Sequence, residues 1–140
     1  MKKWFLLAFL IAATIVATAQ TQEPTPERVL AVQVLRALNT AEVNYASGAG
    51  HFGTWDDLRP VVAKWKAQTA KGTWGDALQS LDPDLTNDPL PGWKLRIMVA
   101  NDGKHYSLEL HKDQQCDVNG FSDDTGVIYL GASLGCEKAQ

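Results

Sequence analysis

WKLRIMVANDGKHYSLELH, residues 93–111, is the stretch whose reading decides the fold. Trp93, Leu95, Ile97 and Val99 alternate with Lys94, Arg96 and Met98. Beyond Asn101-Asp102-Gly103-Lys104, the residues Tyr106, Leu108 and Leu110 alternate with His105, Ser107, Glu109 and His111. Strict alternation marks half-buried strands, and Asp-Gly between two such runs favours a type I′ hairpin turn. The two signals check each other. A two-residue loop at Asp102-Gly103 sets Val99 opposite Tyr106, Ile97 opposite Leu108 and Leu95 opposite Leu110, all apolar pairs. A three-residue loop would set Val99 opposite His105 and mix the faces, because side chains alternate with period two. On the other face the same register sets Arg96 opposite Glu109, a cross-strand pair worth about 0.2–1 kcal/mol. The stretch therefore predicts an antiparallel hairpin with one apolar face that needs a cover.

The cover is sought upstream. Thr25-Pro26-Glu27 reads as a helix start: a capping hydroxyl, proline at the first helical position, and an acid at the positive end of the helix dipole. From there to Ser47, Leu30, Val34, Leu35, Leu38, Ala41, Val43 and Tyr45 fall mostly on one face at helical spacing, with Arg36, Asn39 and Glu42 largely off it. Gly48 and Gly50 end the helix. The middle, residues 51–91, is less regular. Thr54-Trp55-Asp56-Asp57 starts a second helix with Asp57 three residues after its cap. Pro60 is expected to break or restart that helix, and residues 76–81 to add one short helical turn. Downstream, a turn at Asp123-Asp124-Thr125-Gly126 separates a short strand at 119–122 from one at 127–131.

The N-terminus sets the compartment. Lys2 and Lys3 precede an apolar run from Trp4 to Val16, and Ala17-Thr18-Ala19 supplies the small residues that a signal peptidase reads. Residues 1–19 are expected to be a cleaved signal peptide, 20–24 a flexible leader, and 25–140 a single domain in the periplasm or outside the cell. No membrane span is expected after cleavage, and no cysteine follows the cut to carry a lipid. Removing the two lysines from 13 basic residues leaves 11 against 16 acidic ones, a net charge of −5 for the 121 remaining residues. An acidic domain does not attract phosphate backbones, so nucleic acid is not an expected partner. Cys116 and Cys136 are the two cysteines, and in an oxidising compartment they are expected to form a disulfide, worth roughly 3 kcal/mol. A redox motif would place them much closer together. A zinc site would need further ligands, with His111 the only nearby one.

Three phrases then resemble a known family. Residues 34–46, VLRALNTAEVNYA, resemble the helix of type IV pilin-like proteins. Phe52 with Thr54 to Leu58 resembles their post-helix segment, and Phe121 to Ile128, FSDDTGVI, resembles their closing strand. The resemblance implies a pilin or pseudopilin globular domain, α+β, with one long N-terminal helix packed on a small antiparallel sheet. It implies a secretion or envelope context with protein partners. The chain departs from the family at its start: Met1 to Ala19 is an ordinary signal peptide, and the prepilin leader with its apolar membrane helix is missing. Polymerisation into a filament is not implied.

Candidate sites follow from residue types. Trp55 and Trp74, next to turn residues, and Glu42, off the apolar helix face, form a candidate interaction surface; Trp65 and Trp93 suit the core. Asp117, Asn119, Asp123 and Asp124 place oxygen ligands near one another and could take calcium, as some pseudopilins do near their C-terminus. EF-hand spacing is absent, and Asp-Asp-x-Gly is also ordinary turn chemistry. His105 and His111 lie six residues apart on one strand, too far to chelate one ion together. No serine sits in a nucleophile elbow and no glycine-rich phosphate loop is present. The expectation is a non-enzymatic module without cofactor that acts through protein–protein contacts. The alternative is a secreted binding module for a sugar, a peptide or calcium.

Overall fold

A computed structural model describes residues 25–68, 73–84, 89–112 and 118–132. The expected signal peptide (1–19) and leader (20–24), and Cys116, Asp117 and Cys136, lie outside the described residues. The architecture is α+β. Helix α1 (Pro26–Ala49) is followed by α2 (Trp55–Gln68) and α3 (Thr73–Ser80), then by strands β1 (Trp93–Val99), β2 (Tyr106–Lys112), β3 (Val118–Asp123) and β4 (Ile128–Ala132). The strands form one antiparallel meander in the order β1-β2-β3-β4. No helix among the described residues is long and apolar enough to cross a membrane.

The hairpin has the register its sequence demands: Leu95 pairs with Leu110, Arg96 with Glu109, Ile97 with Leu108 and Val99 with Tyr106. Its turn differs from the expected two-residue loop. Ala100 N–H donates to His105 O at 2.9 Å, and Gly103 N–H donates to Ala100 O at 2.8 Å. The connection is thus four residues, Asn101 to Lys104, and two extra residues leave the parity unchanged. Gly103, at φ +66°, is held from outside the hairpin. Its carbonyl accepts from Phe52 N–H at 2.9 Å, and a Cβ at this position would lie 2.8 Å from His51 Cβ. Contact with a distant loop shapes this turn as much as the local Asp-Gly preference does.

Helix α1 begins and ends as its sequence indicates. Thr25 Oγ1 accepts from Arg28 N–H, Pro26 opens the helix, and Gly50 closes it in the left-handed conformation, its N–H donating to Ala46 O. Ala31, Val34, Leu35, Ala37, Leu38 and Ala41 are buried. Val43, expected on the apolar face, is 61% exposed. Helix α2 starts on the expected cap, with Thr54 N–H and Oγ1–H both donating to Asp57 Oδ2 at 2.8 Å. It then runs through Pro60 without a break. The helix forgoes one backbone hydrogen bond there and is retained because Trp55, Leu58 and Val62 on either side are buried. Helix α3 begins at Thr73, earlier than its turn residues suggested.

The placement of α1 is the larger departure. It packs chiefly over β3, with β4 and β2 to either side, and so is centred away from the β1–β2 ribbon. The physical reason is Gly120 in the middle of β3. A Cβ there would lie 2.7 Å from Leu35 Cδ1 and 3.5 Å from Leu130 Cδ2. The missing side chain leaves the depression into which Leu35 packs, and Leu35 is fully buried. Gly120→Ala is therefore expected to destabilise the domain by about 1–3 kcal/mol, because the added methyl overpacks a full site. Gly131→Ala, with nothing within 4 Å of a new Cβ, should cost less than about 0.5 kcal/mol. Urea denaturation of both variants measures the difference.

Candidate functional site

Two regions carry polar or exposed side chains in a specific arrangement, one inside the molecule and one on its surface. The inner one lies along a single stripe of α1. Asn39, one turn beyond Leu35, donates through Nδ2 to Ser122 Oγ at 2.7 Å and accepts through Oδ1 from Tyr106 Oη–H at 3.0 Å. Ser122, fully buried on β3, in turn donates a hydrogen bond through its hydroxyl to Val127 O at 2.9 Å. The chain Tyr106–Asn39–Ser122–Val127 links helix, β2, β3 and the β3–β4 turn, and its members satisfy one another. Burial pushes the Tyr106 hydroxyl up to about 12, so it remains a donor at any ordinary pH.

Glu42 lies on the next turn of the same stripe and is 0% exposed. Its Oε2 accepts from Gly53 N–H at 2.9 Å, while its Oε1 is buried without a partner among the described residues. Burial pushes the Glu42 carboxyl up to about 7; the Gly53 hydrogen bond opposes this, and the nearby charge of Asp57 adds to it. Gly53 itself must be glycine: a Cβ there would lie 2.9 Å from Asp57 Cβ and 3.0 Å from the Tyr45 ring. The loop 50–54 that Glu42 meets also carries Phe52, whose ring stacks edge-on against Tyr106 with centroids 4.6 Å apart.

The surface region is the sheet face opposite α1. Register places Arg96, Glu109, Phe121 and Tyr129 side by side in one row across all four strands. Phe121 is 37% and Tyr129 58% exposed, and their rings lie 6.2 Å apart at a 41° tilt. Met98, Ser107 and Asp123 form a parallel row on one side, and Lys94, His111, Asn119 and Gly131 on the other. The result is a solvent-facing aromatic pair framed by polar and charged side chains.

The residues singled out from sequence are distributed differently. Trp55 is 8% exposed and belongs to the core, and Glu42 is buried, so neither reaches the surface. Glu42, expected off the apolar face of α1, stands seven residues from Leu35 and four from Leu38 and is carried inward with them on the buried stripe. The backbone at Trp74 lies in α3, and its side chain is outside the described residues. Asn119 and Asp123 stand at opposite ends of β3, about 13 Å apart along the strand. Asn119 Oδ1 faces His111 Nδ1 at 3.1 Å, Asp123 Oδ1 accepts from Thr125 N–H at 3.0 Å, and Asp124 Oδ2 pairs with His105 Nδ1 at 2.7 Å. The three acids and amides serve local turn and cross-strand bonds. Among the described residues, no group of three or more His, Cys, Asp or Glu side chains is placed to hold a metal ion. No protein-family model, curated protein or solved structure matches this chain.

Two outcomes follow. Asn39→Ala removes one partner from both Tyr106 and Ser122 and should cost about 1–3 kcal/mol in chemical denaturation, since a buried polar group is left unpaired. Glu42 gives stability an unusual pH dependence. Its folded-state value of about 7 lies above its ordinary 4.5, so the folded protein holds the proton more tightly than the unfolded chain. Stability contributed by this group falls as pH rises through that window, by an amount on the order of 3 kcal/mol. The exposed His105, raised by its hydrogen bond to Asp124, adds a loss of the same sign. Glu42→Gln should flatten most of the dependence, read as unfolding free energy against pH.

Proposed function

We propose that this chain is an exported, non-enzymatic pilin-like module that acts through protein–protein contacts in the cell envelope or in a secretion assembly. Three observations support the reading. The leader has the layout of a cleaved signal peptide; the phrases at 34–46, 52–58 and 121–128 resemble pilin-like proteins; and a 24-residue helix on a four-stranded antiparallel sheet is compatible with that family without being peculiar to it. The observation that carries the contact role is the exposed Phe121–Tyr129 pair in the middle of the sheet face opposite α1. Paired exposed aromatics framed by charge form the kind of centre at which protein interfaces concentrate binding energy. The partner is expected to bring an apolar patch onto these rings and opposite charges onto Arg96 and Glu109.

A photo-crosslinking residue at Tyr129, in the full chain expressed in its own envelope, tests the reading. One discrete protein adduct is expected at position 129, and none at the exposed Lys64 on α2. Alanine at Phe121 or Tyr129 should weaken binding of the captured partner by about 2 kcal/mol, roughly thirtyfold. Crosslinking at both positions alike, or at neither, would overturn the assignment of this face. Saturable binding of a small sugar or peptide at Tyr129 would favour the binding-module alternative.

A further inference from the structure

Glu42 makes one hydrogen bond from an enclosed position and leaves its other oxygen unpartnered among the described residues. A neutral carboxyl tolerates that arrangement at the cost of one idle O–H. A carboxylate does not, because a buried charge without a counter-charge is far more expensive than an unpaired hydroxyl. The element that closes this site is short. Loop 50–54 touches Glu42 through Gly53 N–H; it touches the β1–β2 turn through Phe52 N–H on Gly103 O and through His51 against Gly103, and the start of β2 through the Phe52–Tyr106 ring contact. It leaves α1 at Gly50, in the left-handed conformation, and Gly50, His51 and Thr54 are exposed. The loop thus supplies the single hydrogen bond of Glu42 among the described residues while standing partly in solvent itself.

We propose that Glu42 is a proton-operated latch: protonated, it holds loop 50–54 closed on the hairpin turn, and ionised, it admits water and releases the loop. Release uncovers the facing rings of Phe52 and Tyr106, an aromatic surface separate from the Phe121–Tyr129 pair. The groups facing the latch reinforce it. Helix α2 brings Asp57, whose negative charge opposes ionisation of Glu42, and Asp57 in turn faces His51 of the loop. Helix α1 contributes Tyr45 and β2 contributes Tyr106, both of which feel the Glu42 charge. Beyond Tyr106 stand Asp123 and Asp124, the latter paired with His105.

Amide hydrogen exchange of the full chain, corrected for intrinsic base catalysis, reads the latch directly. Between about pH 5.5 and about pH 8.5, protection at Phe52 and Gly53 should fall at least about tenfold, while Leu35 and Leu108 in the core change far less. Glu42→Gln should hold Phe52 and Gly53 protected across the whole range. His105→Gln should leave the fall in place, which separates the latch from the exposed His105–Asp124 pair. Unchanged protection in the natural protein, the same fall in Glu42→Gln, or its loss in His105→Gln would each overturn the proposal. If Glu42→Gln does not fold, the natural protein still decides. The Gly53 amide shift and the Glu42 side-chain carboxyl shift should titrate with one midpoint, and separate midpoints would refute the latch.

Discussion

Gly120 has no side chain, and Leu35 of α1 fills the space that a side chain would take. This contact fixes the depth and the axial position of the longest helix on the sheet. Helical geometry does the rest. Residues three and four apart stack on one face, so a helix seated at Leu35 must deliver Asn39 and then Glu42 to fixed heights along the same stripe. Asn39 arrives opposite Ser122 and Tyr106, and Glu42 arrives opposite the amide of Gly53. Three successive turns of one helix thus meet an apolar depression, a polar chain and a loop. The sheet decides all three through one glycine.

The two polar contacts differ in kind. Asn39 is an amide with donors and acceptors on both sides, and its partners complete one another's hydrogen bonds. Such a buried chain ties helix to sheet without leaving an orphan group. Glu42 is an acid in a site that offers one donor, with the nearby charge of Asp57 of the same sign. Its neutral form suits the site and its ionised form does not. One contact fastens the fold at any ordinary pH, while the other makes the α1–α2 loop responsive to protons. The outer sheet face, where Phe121 and Tyr129 stand together, is built on the same strands and is remote from this stripe by the alternation of side chains.

Much of the hairpin and of α1 was legible in the sequence because local signals there agree. Alternation and turn parity both pair Val99 with Tyr106, and the caps at Thr25 and Gly50 are chemical consequences of helix ends. Features that depend on non-local contact were not legible. The hairpin loop is longer than Asp-Gly suggests, and Gly103 within it also accepts from the distant Phe52 N–H. Pro60 stays helical because buried neighbours on both sides hold the turn. The helix lies over β3 because of a glycine whose role appears only when β3 is aligned with α1. Glu42 was not legible: it reads from the sequence as a surface residue off the apolar face, and its burial depends on the amide of Gly53 in the following loop. The row from Arg96 to Tyr129 requires the registers of all three strand pairs at once, and no local pattern announces it.

The seating of α1 on β3 is tested most directly by methyl-resolved nuclear Overhauser spectroscopy. The Leu35 methyl protons should show strong cross-peaks to the Gly120 α-protons, with further cross-peaks to the methyls of Leu130 and the β-protons of Leu110. Leu35 cross-peaks to Ile97 or Val99 of β1, with none to Gly120, would place the helix on the hairpin and contradict the account.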